Sequence, residues 1–164
     1  MRKIMGKITI LVPAYNEEAV IEKMYERLNE VCADLERHTF EFLFVNDGSQ
    51  DRTLQLVKQL KGKDDRVQYV DLSRNFGKEA AMIAGLDYTK GDAVIIIDAD
   101  LQQPPELFGE MIHWWEEGYD DVYAVRKERE GESWLKKWTS RKYYHLLQKV
   151  SQQDVYPQVG DYRL

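Results

Sequence analysis

Apolar and polar positions change period several times along this chain, and each change marks an element. Lys7–Pro13 (KITILVP) is a β-branched run stopped by proline, which predicts a first strand. Val20, Ile21, Met24, Leu28, Val31 and Leu35 then recur at helical spacing out to about Arg37. Asn16 is the expected cap of that helix, with Glu17 and Glu18 in its first turn. Phe40–Asn46 (FEFLFVN) predicts a second strand, followed by the turn signal Asp47-Gly48-Ser49. Leu54, Val57 and Leu60 mark a second helix ending near Lys61-Gly62. Arg66–Leu72 is a third strand, Ser73–Gly77 a polar loop, and Ala80–Leu86 an Ala-rich helix ended by Gly91. Ala93–Ile97 is a short apolar run that predicts a strand buried on both faces. Pro104-Pro105 opens a further helix that Gly118 closes, and Asp121–Arg126 (DVYAVR) is a possible fifth strand.

Strands and helices that alternate at this spacing predict βαβ units, right-handed crossovers and a largely parallel sheet. In such a sheet the residues just past each strand gather along one edge, where ligands bind. Three predicted loops carry polar groups there: Pro13-Ala14-Tyr15-Asn16-Glu17, Asn46-Asp47-Gly48-Ser49 and Asp98-Ala99-Asp100. Each alone reads as a cap or a turn. Together they place Glu17, Asp47, Asp98 and Asp100 around one crevice. Like charges so gathered repel unless a cation or hydrogen-bond donor is bound. A hard, oxygen-only donor set of this kind suits Mg2+ or Mn2+ shared with phosphate oxygens. The glycines form neither G-x-G-x-x-G nor G-x-x-x-x-G-K-[ST], which argues against a hydride-transfer enzyme and a P-loop NTPase.

Composition narrows the class further. The 164 residues are about one domain, and no internal repeat, low-complexity tract or flexible linker interrupts them. A net charge of −6 argues against nucleic acid as partner. The single cysteine, Cys32, falls in a helical pattern and is expected to be a small buried apolar residue. Met1–Lys7 lacks the apolar stretch of a signal peptide. No run reaches the roughly 18 apolar residues of a membrane span. The expectation is a soluble intracellular domain.

Four ordered motifs carry a resemblance. VPAYNEE (Val12–Glu18), VNDGSQDRT (Val45–Thr53), RNFGKEAAMIAG (Arg74–Gly85) and DADLQQPPE (Asp98–Glu106) resemble the motif set of family-two glycosyltransferases with the GT-A fold. More narrowly they resemble the polyprenyl-phosphate branch, the dolichyl-phosphate mannose synthases and bacterial bactoprenol glucosyltransferases. Ala124–Leu147 and the final GDYRL (Gly160–Leu164) look closest to the bactoprenol enzymes. The fold so implied is α/β, a nucleotide-diphospho-sugar transferase fold of Rossmann type, with a mostly parallel sheet and helices on both faces. Residues 1–125 would be the nucleotide-sugar-binding core, and 126–164 an acceptor-side, juxtamembrane segment of the same domain.

Carried over residue by residue, the resemblance implies the following roles. Pro13, Tyr15 and Glu17 line the nucleoside pocket, and Asp47 hydrogen-bonds the base. Asp98 and Asp100, as D-x-D, hold with Gln102 the Mg2+ or Mn2+ ion that bridges the diphosphate, Asp98 also counting among the nucleotide contacts. Arg126 and Arg129 meet the acceptor phosphate, Arg126 close to the chemistry, and Arg163 faces a phosphate too. Asp161 matches the family's candidate base. The implied reaction is inverting transfer from a nucleoside-diphosphate sugar, UDP-glucose-like, to polyprenyl (undecaprenyl) phosphate at the cytoplasmic side of the cell membrane. A lipid phosphate, with a second pKa of roughly 6, is largely ionised at neutral pH. Its oxygen needs little deprotonation, so Asp161 is expected to orient a neighbour instead of taking a proton. The alternative reading of Asp161 and Arg163 is a solvated C-terminal tail.

Eight Lys/Arg against three Glu between Arg126 and Lys149 give a local +5, which leaves −11 for the remainder. Trp134, Leu135, Trp138, Tyr143, Leu146 and Leu147 are interleaved with those cations, a mixture suited to anionic headgroups. Residues 126–150 are therefore expected to meet a membrane surface; a helix docked on the core with one wet face is the competing reading. The resemblance also implies transmembrane helices after GDYRL, which this chain does not contain, so the expectation is a truncated soluble portion or a shorter relative that keeps donor binding. Two further functions compete. A sugar nucleotidyltransferase would want a basic, Gly-rich loop after the first strand, where VPAYNEE is acidic. A non-catalytic sugar-nucleotide-binding or membrane-docking domain would not need Asp98 and Asp100 intact.

Overall fold

A computed structural model describes residues 5–125 and 159–164. In chain order the elements are β1 (Lys7–Ala14), α1 (Ile21–Ala33), β2 (Thr39–Asn46), α2 (Thr53–Lys63), β3 (Val67–Asp71), α3 (Lys78–Leu86), β4 (Ala93–Ile96), a 3-10 turn (Pro105–Leu107), α4 (Phe108–Glu116), β5 (Tyr123–Val125) and β6 (Val159–Arg163). The six strands form one sheet in the order β3-β2-β1-β4-β6-β5. β1 pairs in parallel with β2 and with β4, and β2 with β3. β6 runs antiparallel to β4, with Ile96 opposite Arg163.

The order follows from where each crossover lands. The chain winds outward from β1 through β2 to β3, then returns over α3 to lay β4 on the other side of β1. β1 and β4 are therefore neighbours whose following loops depart in opposite directions. That switch point opens a crevice at the carboxyl edge of the sheet.

Parallel register sorts the strand residues into two faces. Leu11, Leu43, Val45 and Ile96 share one face, and Leu11, Val45 and Ile96 cluster there with Ala81 of α3. Helix and sheet approach so closely that a Cβ on Gly85 would lie 2.7 Å from both Leu11 Cδ1 and Val45 Cγ2. On the opposite face Tyr25 of α1 meets Phe42 edge-on, ring centroids 5.8 Å apart. Helices thus cover both faces. Phe42, Phe44 and Phe108 are wholly buried, each worth about 1.5–3 kcal/mol relative to exposure. At the amino edge the buried Glu41 is matched by Lys7 at 2.5 Å and by the Thr9 hydroxyl at 3.4 Å. Cys32 is buried, as expected, and burial pushes its thiol up to about 12.

Several boundaries differ from the pattern-based expectation. Asn16 does not cap α1, which begins at Ile21 with no side-chain cap. Asn16 instead adopts a left-handed backbone (φ 55°) and spends its side chain across the sheet edge, accepting from the Gln50 amide at 2.9 Å. α1 ends at Ala33, since the Leu35 amide turns back onto the Cys32 carbonyl. α2 runs through Gly62 to Lys63, α3 stops at Leu86 well before Gly91, and Pro105 opens a 3-10 turn that precedes α4.

The largest difference lies at the C-terminus. It is not a solvated tail: β6 enters the sheet between β4 and β5, with Tyr162 and Leu164 buried. Val122 and Leu164 exchange backbone hydrogen bonds at 2.9 and 2.8 Å. The Tyr162 hydroxyl donates to the Pro104 carbonyl at 2.6 Å, and burial drives its pKa upward. Asp161–Leu164 thus belong to the same compact unit as the residues up to Tyr123.

Candidate active site

The first two loops of the carboxyl edge are stitched together. Asn16 donates its amide to Ser49 Oγ at 3.0 Å, while its side chain takes the Gln50 amide. The Glu17 amide donates to Thr53 Oγ1 at 2.8 Å, and the Glu18 amide to Asp51 Oδ2 at 3.1 Å. In return Glu18 Oε2 accepts the Arg52 amide at 3.0 Å. Thr53 is fully buried, and Asp51 accepts the Thr53 amide besides. These bonds take up the amide hydrogens that a helix starting at Asn16 would have left for its cap. They also fix the backbone at Glu17 against the second loop.

The second loop fixes a third. Asp47 is buried, and its two carboxylate oxygens accept the backbone amides of Phe76 and Gly77 at 2.7 and 2.9 Å. It thereby sets the start of α3, where Lys78 follows. Asparagine at this position would turn an NH2 donor toward one of those amides. We expect Asp47→Asn to cost about 2 kcal/mol and to lower the melting temperature of the ligand-free protein by about 4–8 °C. Were Asp47 needed only for a nucleotide base, the ligand-free variant would melt like the wild type in differential scanning calorimetry.

The third group is the end of β4. Asp98 is half-buried, and Lys78 Nζ lies 2.6 Å from its Oδ1. Its Oδ2 accepts Gln103 Nε2 at 2.9 Å, and its backbone amide donates to Gln103 Oε1 at 3.0 Å. Asp100 is exposed and accepts the Gln102 amide at 3.0 Å. Between them Leu101 holds a left-handed backbone, φ 62°. That conformation costs a non-glycine residue about 1–2 kcal/mol, and it turns the chain so that the Gln102 amide comes back onto the Asp100 carboxylate.

These groups share one electrostatic neighbourhood. The Glu17 carboxyl is pushed above the ordinary carboxylate range, first by burial and then by Asp100, Asp51 and Asp98. A carboxyl raised in the fold makes folding less favourable as pH climbs from its unfolded pKa through its folded one. Glu17→Gln is accordingly expected to raise the ligand-free melting temperature by about 1–2 °C at pH 7.5, with the difference vanishing near pH 4. Mn2+ should stabilise the wild type more than this variant, and a thermal-shift titration at both pH values reads all three effects.

Of the residues singled out from sequence, Glu17, Asp98 and Asp100 are thus brought together, and Asp47 joins them through Gly77 and Lys78. Pro13 is buried at the end of β1, with Tyr15 exposed beside it. Gln102 is exposed, and the glutamine that grips Asp98 is the next one, Gln103. Arg163 lies 3.9 Å from Asp121. β6 is antiparallel to β4, so going back from Arg163 to Asp161 moves toward the edge where Asp98 sits. Arg126, Arg129 and the expected membrane-facing stretch 126–150 lie outside the described residues. Sequence reasoning missed Lys78, Gln103, Thr53 and Asp51. A signal for Lys78 was present, since it follows a loop at the same sheet edge.

The donor set fits a divalent cation. Among the described residues no three His, Cys, Asp or Glu side chains form a cage for an ion. A magnesium-type ion held by one or two carboxylates plus phosphate oxygens needs no such cage. Asp98 and Asp100 supply the carboxylates, and the upward push on Glu17 records negative charge that a cation would relieve.

The architecture is that of an α/β protein with a six-stranded, mostly parallel sheet and the acidic Asp98-Ala99-Asp100 turn at its switch point. The model of glycosyl transferase family 2 matches residues 9–164, and the chain belongs to that family. An uncharacterized glycosyltransferase of Bacillus subtilis, YkcC, is 49% identical over 95% of this chain and 48% of its own length. The bactoprenol glucosyl transferase of Shigella phage SfX is 42% identical over 96% of this chain and 52% of its own. The chain spans about half the length of these curated relatives. Among solved structures, the mannosyltransferase PcManGT of Pyrobaculum calidifontis, in complex with GDP-Man and Mn2+, superposes with a TM-score of 0.62 at 23% identity, over 88% of this chain and 39% of its own. Staphylococcus aureus TarS 1-349 with UDP-GlcNAc gives 0.60 at 24% identity, over 77% and 36%. These two likenesses bear out the GT-A fold.

Proposed function

We propose that this domain carries out inverting transfer of a sugar from a nucleoside-diphosphate sugar, UDP-glucose-like, to polyprenyl phosphate. The observation that carries the reading is the gathering of Glu17, Asp98 and Asp100 at the β1/β4 switch point. Relatives named bactoprenol glucosyl transferases, at 41–42% identity, support the acceptor and the sugar. In this reading Pro13, Tyr15, Glu17 and Asp47 frame the nucleoside, Asp47 chiefly by fixing the loop that closes over it. Asp98 and Asp100, with Gln102 alongside, would hold a Mg2+ or Mn2+ ion. Bound there, such an ion supplies Lewis-acid neutralisation of charge on the departing diphosphate.

The acceptor phosphate, already anionic at neutral pH, is met by Arg126, Arg129 and Arg163. Asp161, at the end of β6 nearer the Asp98 edge, orients a neighbouring group, an arginine among the candidates, instead of taking a proton. Residues 126–150 bring the domain to the headgroups where the acceptor is dissolved, on the cytoplasmic side of the membrane. Among the described residues no helix is long and apolar enough to cross a membrane. A nucleotidyltransferase is less well supported, because the loop after β1 carries Glu17 and Glu18 where that chemistry wants cations.

The test is release of nucleoside diphosphate from a panel of nucleotide sugars, with Mn2+, in vesicles with and without polyprenyl phosphate. Release that depends on the lipid phosphate is the expected result. Binding of UDP with no lipid-dependent release from any donor would overturn the transferase reading in favour of a binding module.

A further inference from the structure

Asp98 has two oxygens in unlike circumstances. Oδ2 and the backbone amide are locked by the buried Gln103, at 2.9 and 3.0 Å, which fixes the plane of the carboxylate. Oδ1 is the oxygen left for the crevice, and the Lys78 ammonium lies 2.6 Å from it. The lysine is delivered there by a chain of fixed groups, since Asp47 holds the Phe76 and Gly77 amides immediately before it. Its side chain is 42% exposed, so the stem has room to turn.

We propose that Lys78 is a built-in counter-cation for Asp98, which an incoming divalent ion has to displace. The inference rests on the D-x-D reading above and deepens it by naming a coupling between metal and nucleotide. Displacing an ammonium from a half-buried carboxylate is unfavourable unless the ammonium finds other anions. A nucleoside diphosphate brings them. Metal alone therefore binds weakly, and metal with diphosphate binds well, because the diphosphate takes over the lysine as the ion takes over Asp98. Reciprocity requires the diphosphate to gain from the metal by the same factor. Lys78 acts through Asp98 and is a positioning residue in this scheme.

The experiment measures Mn2+ binding by electron paramagnetic resonance of the free ion, on the full chain, with and without UDP. Lys78→Met should tighten Mn2+ binding in the absence of UDP by about three- to fivefold, the range of a partly exposed ion pair. The same substitution should shrink the factor by which UDP tightens Mn2+. Lys78→Arg, which keeps the charge, should restore wild-type values for both. Unchanged or weaker Mn2+ binding by Lys78→Met, or an undiminished UDP effect, overturns the proposal. Asp98→Asn separates the readings. If it leaves Mn2+ binding intact, the metal assignment itself falls; if it abolishes binding while Lys78→Met changes nothing, only the role of Lys78 falls.

Discussion

Gly48→Ala is expected to lower the melting temperature by on the order of 10 °C. Gly48 holds φ 64°, where any side chain is unfavourable by about 1–2 kcal/mol. Space adds to the cost. A Cβ there would lie 2.6 Å from Arg74 Cα and 2.6 Å from Asn75 N, and closer still to the Arg74 carbonyl carbon. All three are backbone atoms, so no rotamer change makes room. The loop before α3 would have to lift away, breaking the bonds from Phe76 and Gly77 to Asp47 and carrying Lys78 off Asp98. Calorimetric melting of the ligand-free protein reads the stability loss. A melting temperature within 2–3 °C of wild type, a shift of about 1 kcal/mol, would show that the loop yields easily and that its contact with Gly48 fixes nothing.

Asp100→Ala should have the opposite profile, with transfer reduced roughly 10²- to 10³-fold and the melting temperature nearly unmoved. Asp100 is exposed, and its one described bond, from the Gln102 amide, ties a surface turn. Its removal leaves no buried group unsatisfied. What disappears is one of two carboxylates facing the expected position of the cation and the diphosphate. Calorimetric titration of UDP with and without Mn2+ should lose its metal dependence in the same variant. Retention of more than a tenth of the wild-type rate would mean that Asp98 suffices, or that the charge is handled elsewhere.

How far the sequence anticipated this site can be argued from single elements. Three of the four parallel strands were legible because apolar, mostly β-branched and aromatic runs ending in Pro13, Asp47 or Asp98 have few other uses. The mixed apolar and polar run Arg66–Leu72 marked the fourth. That their ends gather at one edge followed from parallel topology alone. Asn16 was misassigned because a cap and a left-handed corner favour the same residue type. Only the partner 34 residues on, Gln50, distinguishes them. β6 was missed for a related reason. Five residues are too few for an alternation to stand out, and its pairing with β4 spans most of the distance from Ile96 to the end of the chain. Lys78 and Gln103 sat inside motifs singled out for their neighbours. Their contacts with Asp98 depend on a side chain's direction at a helix start and on burial after a turn, and neither is written in a period.

The stitching between the loops after β1 and β2 has a thermodynamic consequence. A surface loop that is loose before its ligand arrives must lose conformational freedom at the moment of binding, and that loss is subtracted from affinity. Here Asn16, Glu17, Glu18, Asp51 and Thr53 are already held in mutual register. The entropy was surrendered once, when the chain folded. A nucleotide bound as proposed would meet a rim already rigid, and encounter with it, not settling of the loops, is expected to set the pace of association.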